Sequence, residues 1–142
     1  MGLAKSIAHS YTYNEYLYYY INKGDVNKVE EILKAKPSLI KDPLTAHSKT
    51  TALNRATQNG NISLAKLLIE KYEADVNLAS EKGETPLISA IKRNHVKLVK
   101  LLLEKGADPN YVDPLGLRTI DHAILPGFYE VSQLLYCELK EK

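Results

Sequence analysis

Apolar residues along the chain recur at helical spacing in short runs, and each run is followed by a tight break and then a second run. The break falls at Gly24, Gly60, Asn94 and Gly127. After it the apolar positions line one helix face, as Leu98, Leu101 and Leu102 do at the i, i+3, i+4 spacing. The pattern predicts pairs of helices joined by tight turns. Between one pair and the next lies a chain reversal such as "GADPN", where Gly106 can take the left-handed geometry that ends a helix. Thr85-Pro86 then opens the next helix, with proline in its first turn where a missing N–H costs nothing.

The order of events repeats in register. "KTTALNRATQNGNISLAKLLIEKYEADVN" (Lys49–Asn77) aligns with "GETPLISAIKRNHVKLVKLLLEKGADPN" (Gly83–Asn110) after one inserted residue near Tyr72–Glu73. Thr51 matches Thr85, Leu53 matches Leu87, Ala56 matches Ala90, and Asp75 and Asn77 match Asp108 and Asn110. A third copy starts at Gly116, 33 residues after Gly83, with Ile120, Ala123, Gly127, Val131, Leu134 and Leu135 in the same slots. A weaker copy upstream puts Leu17, Gly24, Val29, Ile32 and Leu33 in register. The units run over about 11–46, 47–79, 80–112 and 113–142, after an N-terminal extension at 1–10.

The segments "GETPLISA" and "GADPN", at a period of 33 residues, resemble the ankyrin repeat family over Asn14 to Tyr136. The resemblance implies an all-α repeat solenoid: a stack of about four helix-turn-helix units joined by β-hairpin-like loops, in one domain over 1–142. One departure recurs, because the histidine that usually follows Thr-Pro-Leu is replaced by Asn54, Ile88 and Asp121. The Thr–His link between neighbouring units is therefore expected to be missing.

Six of the ten tyrosines crowd into "YTYNEYLYYYI" (Tyr11–Ile21). Tyr20 stands in the slot held by Ala56, Ala90 and Ala123, which fits only where no full unit precedes. Lys28 and Glu31 stand where later units carry Leu64 and Leu67. A polar outer face is what a terminal repeat requires. The first unit thus reads as a cap, with Tyr16 and Tyr20 closing the core, while Tyr11, Tyr18 and Tyr19 are candidates for partner contact.

The resemblance also implies a concave binding surface of hairpin tips and first-helix residues. Slot by slot the tips are Tyr11, Thr12 and Asn14; His47, Ser48 and Thr50; Glu81, Lys82 and Glu84; Pro114, Leu115 and Leu117. The helix positions are Asn22 and Lys23; Gln58 and Asn59; Lys92 and Arg93; Leu125 and Pro126, with Arg55 and Ser89 as a second row. This predicts a graded strip, with tyrosine and amides at one end, positive charge at Lys92 and Arg93, and apolar residues at the other. It suits a protein or peptide with an acidic centre and a hydrophobic anchor. Leu115, Leu117 and Leu125 are surface slots that a simple cap would make polar. Ser132, at the slot of Val99, marks the fourth unit as terminal.

Composition narrows the function further. The apolar fraction is 44% and the charged fraction 25%, as in folded globular domains. A net charge of +2 argues against a nucleic-acid partner. Cys137 is the one cysteine, so no internal disulfide forms, and no secretory signal opens the chain. A reducing, cytoplasmic setting is expected, with nuclear or membrane-peripheral placement as variants and a monomer as the solution state.

The seven glycines form no phosphate loop, and His9, His47, His95 and His122 show no metal-ligand spacing. Asp121 and His122 are adjacent on a helix and point apart, so His122 is expected on the surface. No catalytic, metal or cofactor site is predicted. "MGLAKS" matches the N-myristoylation pattern at Gly2, although one acyl chain holds a membrane only marginally. Asn77 and Asn110 resemble the hairpin asparagines hydroxylated in some ankyrin-like proteins, and as hairpin caps they serve a sufficient structural role. The reading is a non-enzymatic protein-binding module acting as scaffold, adaptor or inhibitor. The alternative is an N-terminal regulatory or recruiting domain of a larger membrane enzyme or channel.

Overall fold

The computed structural model describes residues 12–45 and 47–141. Within them the chain forms eight α-helices in four pairs: α1 (Tyr13–Lys23) with α2 (Val26–Ala35), α3 (Ala52–Gln58) with α4 (Ile62–Glu70), α5 (Pro86–Lys92) with α6 (Val96–Glu104), and α7 (Asp121–Ile124) with α8 (Tyr129–Glu141). A single 3-10 turn, Pro37–Ile40, follows α2. The first helices stack in the order α1, α3, α5, α7, and α4, α6 and α8 pack in sequence behind them. This is the expected helix-turn-helix stack. The connecting loops carry no extended strand among the described residues, only single bridges at Thr45–Ser48 and Val112–Arg118.

Local chemistry explains where each helix begins. Thr12, Thr51 and Thr85 each accept a hydrogen bond from the N–H three residues on, satisfying a donor that helix geometry leaves free. Thr12 also closes a capping box with Glu15. The second helices α2 and α4 use Asp25 and Asn61 in the same way. The fourth unit has Arg118 in the threonine slot, and α7 is correspondingly only four residues long. There the Asp121 carboxylate accepts the Arg118 N–H at 2.8 Å, half of a capping box.

Packing follows the repeat register. Ala56, Ala90 and Ala123 are completely buried where helices from adjacent units approach, whereas Tyr20 in the same slot is half-buried at the edge of the core. Lys28 and Glu31 pair at 3.1 Å on the outside of α2, as a capping face requires. Gly83 marks a close approach between hairpins: its φ is +76°, and a Cβ there would lie 2.3 Å from Pro114 Cδ.

Neighbouring units are also tied by polar links. Asn54 stands where the family usually has histidine, and its amide Nδ2 donates to the Leu78 carbonyl at 3.1 Å. A link at this slot therefore exists in the second unit, made by asparagine instead. Asn77 donates to the Gly106 carbonyl at 3.2 Å and accepts the Asp108 N–H at 2.7 Å. Both of its side-chain polar atoms are thus engaged in joining successive hairpins. Behind the first helices, Lys71 pairs with Glu30, and Lys105 with Glu70 at 2.8 Å.

Candidate protein-binding groove

The hairpins and first helices of the second and third units, with Tyr18 of α1, line two adjoining depressions that share Ser48, Thr50 and Gln58. The larger, about 440 Å³, lies between the second and third units and is walled by His47, Ser48, Thr50, Gln58, Ser80, Glu81, Lys82, Glu84, Lys92 and Arg93. The smaller, about 130 Å³, continues to Arg55 and Tyr18. The hairpin and helix slots of the second and third units therefore converge, and Tyr18 of the first unit joins them.

At the first-unit end Arg55 organises the surface. Its guanidinium lies 5.3 Å from the Tyr18 ring centroid, a cation–π distance. Its Nε donates to Asn22 Oδ1 at 2.7 Å and one terminal nitrogen donates to Gln58 Oε1 at 3.1 Å. Asn59 donates to the same Asn22 oxygen at 3.1 Å. Five predicted contact residues thus form one network joining α1 to α3 and its C-cap. Such a network holds side chains in place before a partner arrives, which lowers the entropy lost on binding.

The centre of the groove differs from the expected positive patch. Glu84 accepts from Lys92 Nζ at 2.9 Å and lies 3.7 Å from Arg93. Ser89 is completely buried, so it presents nothing to a partner, and its hydroxyl donates to Glu84 at 2.6 Å. Burial pushes the Glu84 carboxyl up. The bonds from Ser89 and Lys92 and the charges of Lys92 and Arg93 outweigh that effect and hold it below its ordinary value. The two cations share an internal carboxylate, so the centre is a compensated polar surface. Glu81 and Lys82 are exposed on the adjoining rim and have no ion-pair partner among the described residues.

Other predicted positions lie elsewhere. Asn14 donates to the Pro43 carbonyl at 2.8 Å and so fixes the chain after α2. Tyr19, half exposed, packs edge-on against Tyr20 with Lys23 5.1 Å from its ring centroid, beside a separate depression lined by Glu15, Tyr16 and Tyr18. Leu115 is 86% exposed and Leu125 71%, while Leu117 is half-buried; none of the three lines the groove. Tyr11 and the Gly2 lipidation position lie outside the described residues.

One polar pair escaped the sequence reading. His122 is not a surface residue: its side chain is 12% exposed and its Nε2 lies 2.8 Å from Asp113 Oδ2. The residue at its slot in the third unit, Ser89, also bonds a carboxylate from the preceding hairpin. That parallel was the available signal. No group of three or more His, Cys, Asp or Glu side chains among the described residues could hold a metal ion.

Residues 17–113 match the family model for ankyrin repeats (3 copies). The chain belongs to the ankyrin repeat family. It is 34% identical over 116 residues to the ankyrin repeat protein YahD of Escherichia coli (strain K12), covering 78% of this chain and 56% of YahD. It is 36% identical over 85 residues to the 26S proteasome non-ATPase regulatory subunit 10 of Dictyostelium discoideum, covering 57% of this chain and 37% of that subunit. Identity to the transient receptor potential cation channel subfamily A member 1 of Homo sapiens is 30% over 117 residues, 81% of this chain and 10% of the channel. The chain therefore spans only about half of YahD and smaller parts of the other two. Ankyrin repeats are protein-binding modules, and partner binding is the general function that the family carries. No helix among the described residues is long and apolar enough to cross a membrane.

Proposed function

We propose that this ankyrin stack is a non-enzymatic binding module that takes an extended segment of a partner protein in the groove running from Tyr18 to Arg93. The observation that carries this reading is the convergence of pre-bonded side chains from three successive units on two adjoining depressions. Arg55, Gln58, Asn22 and Asn59 supply ordered amide and guanidinium donors, and Tyr18 supplies a rigid aromatic surface. Hydroxyl and amide groups at Ser48, Thr50 and Gln58 suit a peptide backbone. The Glu84-bridged cations favour a partner that brings polar or acidic side chains without a dense run of charge. Leu115 and Leu125 stand beyond the groove as anchors for an apolar end of the same partner.

Position-resolved photocrosslinking tests the reading. A photoreactive residue at Gln58 or Lys82 is expected to capture one common partner from native lysate, and the same residue at Lys66 on α4 is expected to capture none of it. Capture from Lys66 alone would place binding on the other side of the stack and end the proposal.

A second reading is that the chain regulates, or recruits substrates to, a larger membrane enzyme or channel. It is favoured by the likeness to a cation channel subfamily member together with the apolar exposure at Leu115 and Leu125. Under it, the crosslinked species would be another segment of the same polypeptide.

A further inference from the structure

The first-helix slot of Arg55 is filled by Ser89 in the third unit and by His122 in the fourth. In both of those units the side chain meets a carboxylate of the hairpin that leads into its helix. Ser89 donates to Glu84 at 2.6 Å, and His122 Nε2 lies 2.8 Å from Asp113. The second unit breaks this pattern. Its hairpin brings Thr45, Ser48 and Thr50 to the depression that Arg55 lines, hydroxyl groups without a carboxylate. Arg55 has no ion-pair partner among the described residues, and residues 1–11, 46 and 142, which lie outside them, include no Asp or Glu.

What holds Arg55 instead is neutral: Asn22 accepts from its Nε, Gln58 from one terminal nitrogen, and the Tyr18 ring lies 5.3 Å away. A guanidinium carries about five N–H groups, so most of those on Arg55 find no acceptor among the described residues. The depression it lines holds about 130 Å³. Small-molecule sites begin at roughly 300 Å³, so this one takes a single short side chain. The adjoining depression offers no spare negative charge, because Lys82, Lys92 and Arg93 there stand against Glu81 and Glu84, and Glu84 is already bonded to Ser89 and Lys92. We propose that the partner segment brings an aspartate or glutamate side chain to Arg55, supplying from outside the carboxylate that the third and fourth units take from their own hairpins. This inference rests on the groove being the binding surface, and it makes Arg55, not Lys92 or Arg93, the residue that reads charge there. Hydrogen bonds between guanidinium and carboxylate are strong because both groups are ionised. A guanidinium already fixed by Asn22, Gln58 and Tyr18 loses little freedom in forming them.

Selection of random linear peptides displayed on phage against the full chain tests the site, with each selected peptide placed by crosslinking to a photoreactive residue at Lys82 or at Lys66. Peptides captured at Lys82 are expected to share an aspartate or glutamate. Replacing that residue by its amide is expected to weaken binding to the wild type about tenfold or more, a comparison that needs no protein variant. In Arg55→Gln, shown to be folded by circular dichroism, the acidic and amide peptides should bind within about twofold of each other, whereas Lys92→Gln should keep the full difference. A purely structural Arg55 would instead weaken both peptides alike. Peptides captured at Lys82 without a shared acidic residue, or with a preference for it that survives Arg55→Gln, would overturn the carboxylate site and leave the groove standing. Peptides captured only at Lys66, or none selected, would overturn the groove and this inference with it.

Discussion

His122 reaches back nine residues to Asp113, placing its Nε2 2.8 Å from one carboxylate oxygen, and the other oxygen of that carboxylate accepts the N–H groups of Leu115 and Leu117. One acidic side chain thus shapes the fourth hairpin and fastens it to α7. Burial pushes the Asp113 carboxyl up, but the Leu117 N–H, the His122 imidazole and the Leu115 N–H outweigh it and hold it below its ordinary value. Asp113→Asn is expected to speed hydrogen exchange at Leu115 and Leu117 by about tenfold or more while leaving α3 and α4 protected. Unchanged exchange at both amides would show that the hairpin does not depend on this carboxylate.

Glu84 supports a prediction about pH. A carboxyl whose folded value is depressed contributes stability that is complete above its ordinary value, near about 4.3, and is lost as pH falls through the depressed one. Glu84→Gln should therefore lower the urea midpoint at pH 7, because Lys92 and Arg93 lose their counter-charge and Ser89 its charged acceptor. The gap between variant and wild type should close as the pH is taken below the carboxylate range. A gap that persists unchanged at low pH would show that the difference comes from something other than ionisation of Glu84.

Much of this architecture was legible because the repeat writes the same local physics several times. Thr51 and Thr85 cap helices, Ala56 and Ala90 mark close approaches, and the breaks at Gly24, Gly60, Asn94 and Gly127 adopt positive φ as the register requires. Side-chain pairing between a hairpin and its following helix was less legible. Glu84 and Lys92 are eight residues apart and meet only because the hairpin tip folds over α5. A list of charges therefore read the groove centre as positive, and Ser89 as accessible. Asp113–His122 in the fourth unit is hidden in the same way, because Asp121 is the acidic neighbour of His122 in sequence and Asp113 only in space. Asp121 instead pairs with Arg118 at 2.8 Å.

Asn54 is completely buried, and its Oδ1 has no hydrogen-bond partner among the described residues, although its Nδ2 bonds Leu78. An orphaned buried acceptor costs about 1–3 kcal/mol. Histidine, the family's usual residue at this slot, keeps a ring N–H for the Leu78 carbonyl and removes the amide oxygen. Asn54→His is expected to raise stability by about 1 kcal/mol in urea unfolding. A variant no more stable than wild type would show that the amide oxygen is satisfied in solution, for instance by an internal water.

Ile91 and Ile124 occupy the same slot one unit apart, yet Ile91 is completely buried and Ile124 half exposed. The same substitution at both sites separates the value of burial from the value of side-chain type. Ile91→Ala removes packed methyl groups between the third and fourth units and should cost about 2–5 kcal/mol. Ile124→Ala, measured in dilute protein, should cost less than about 1 kcal/mol because little of its surface leaves water on folding. Equal losses at both sites would show that the difference in burial between the two isoleucines does not set their contribution to stability.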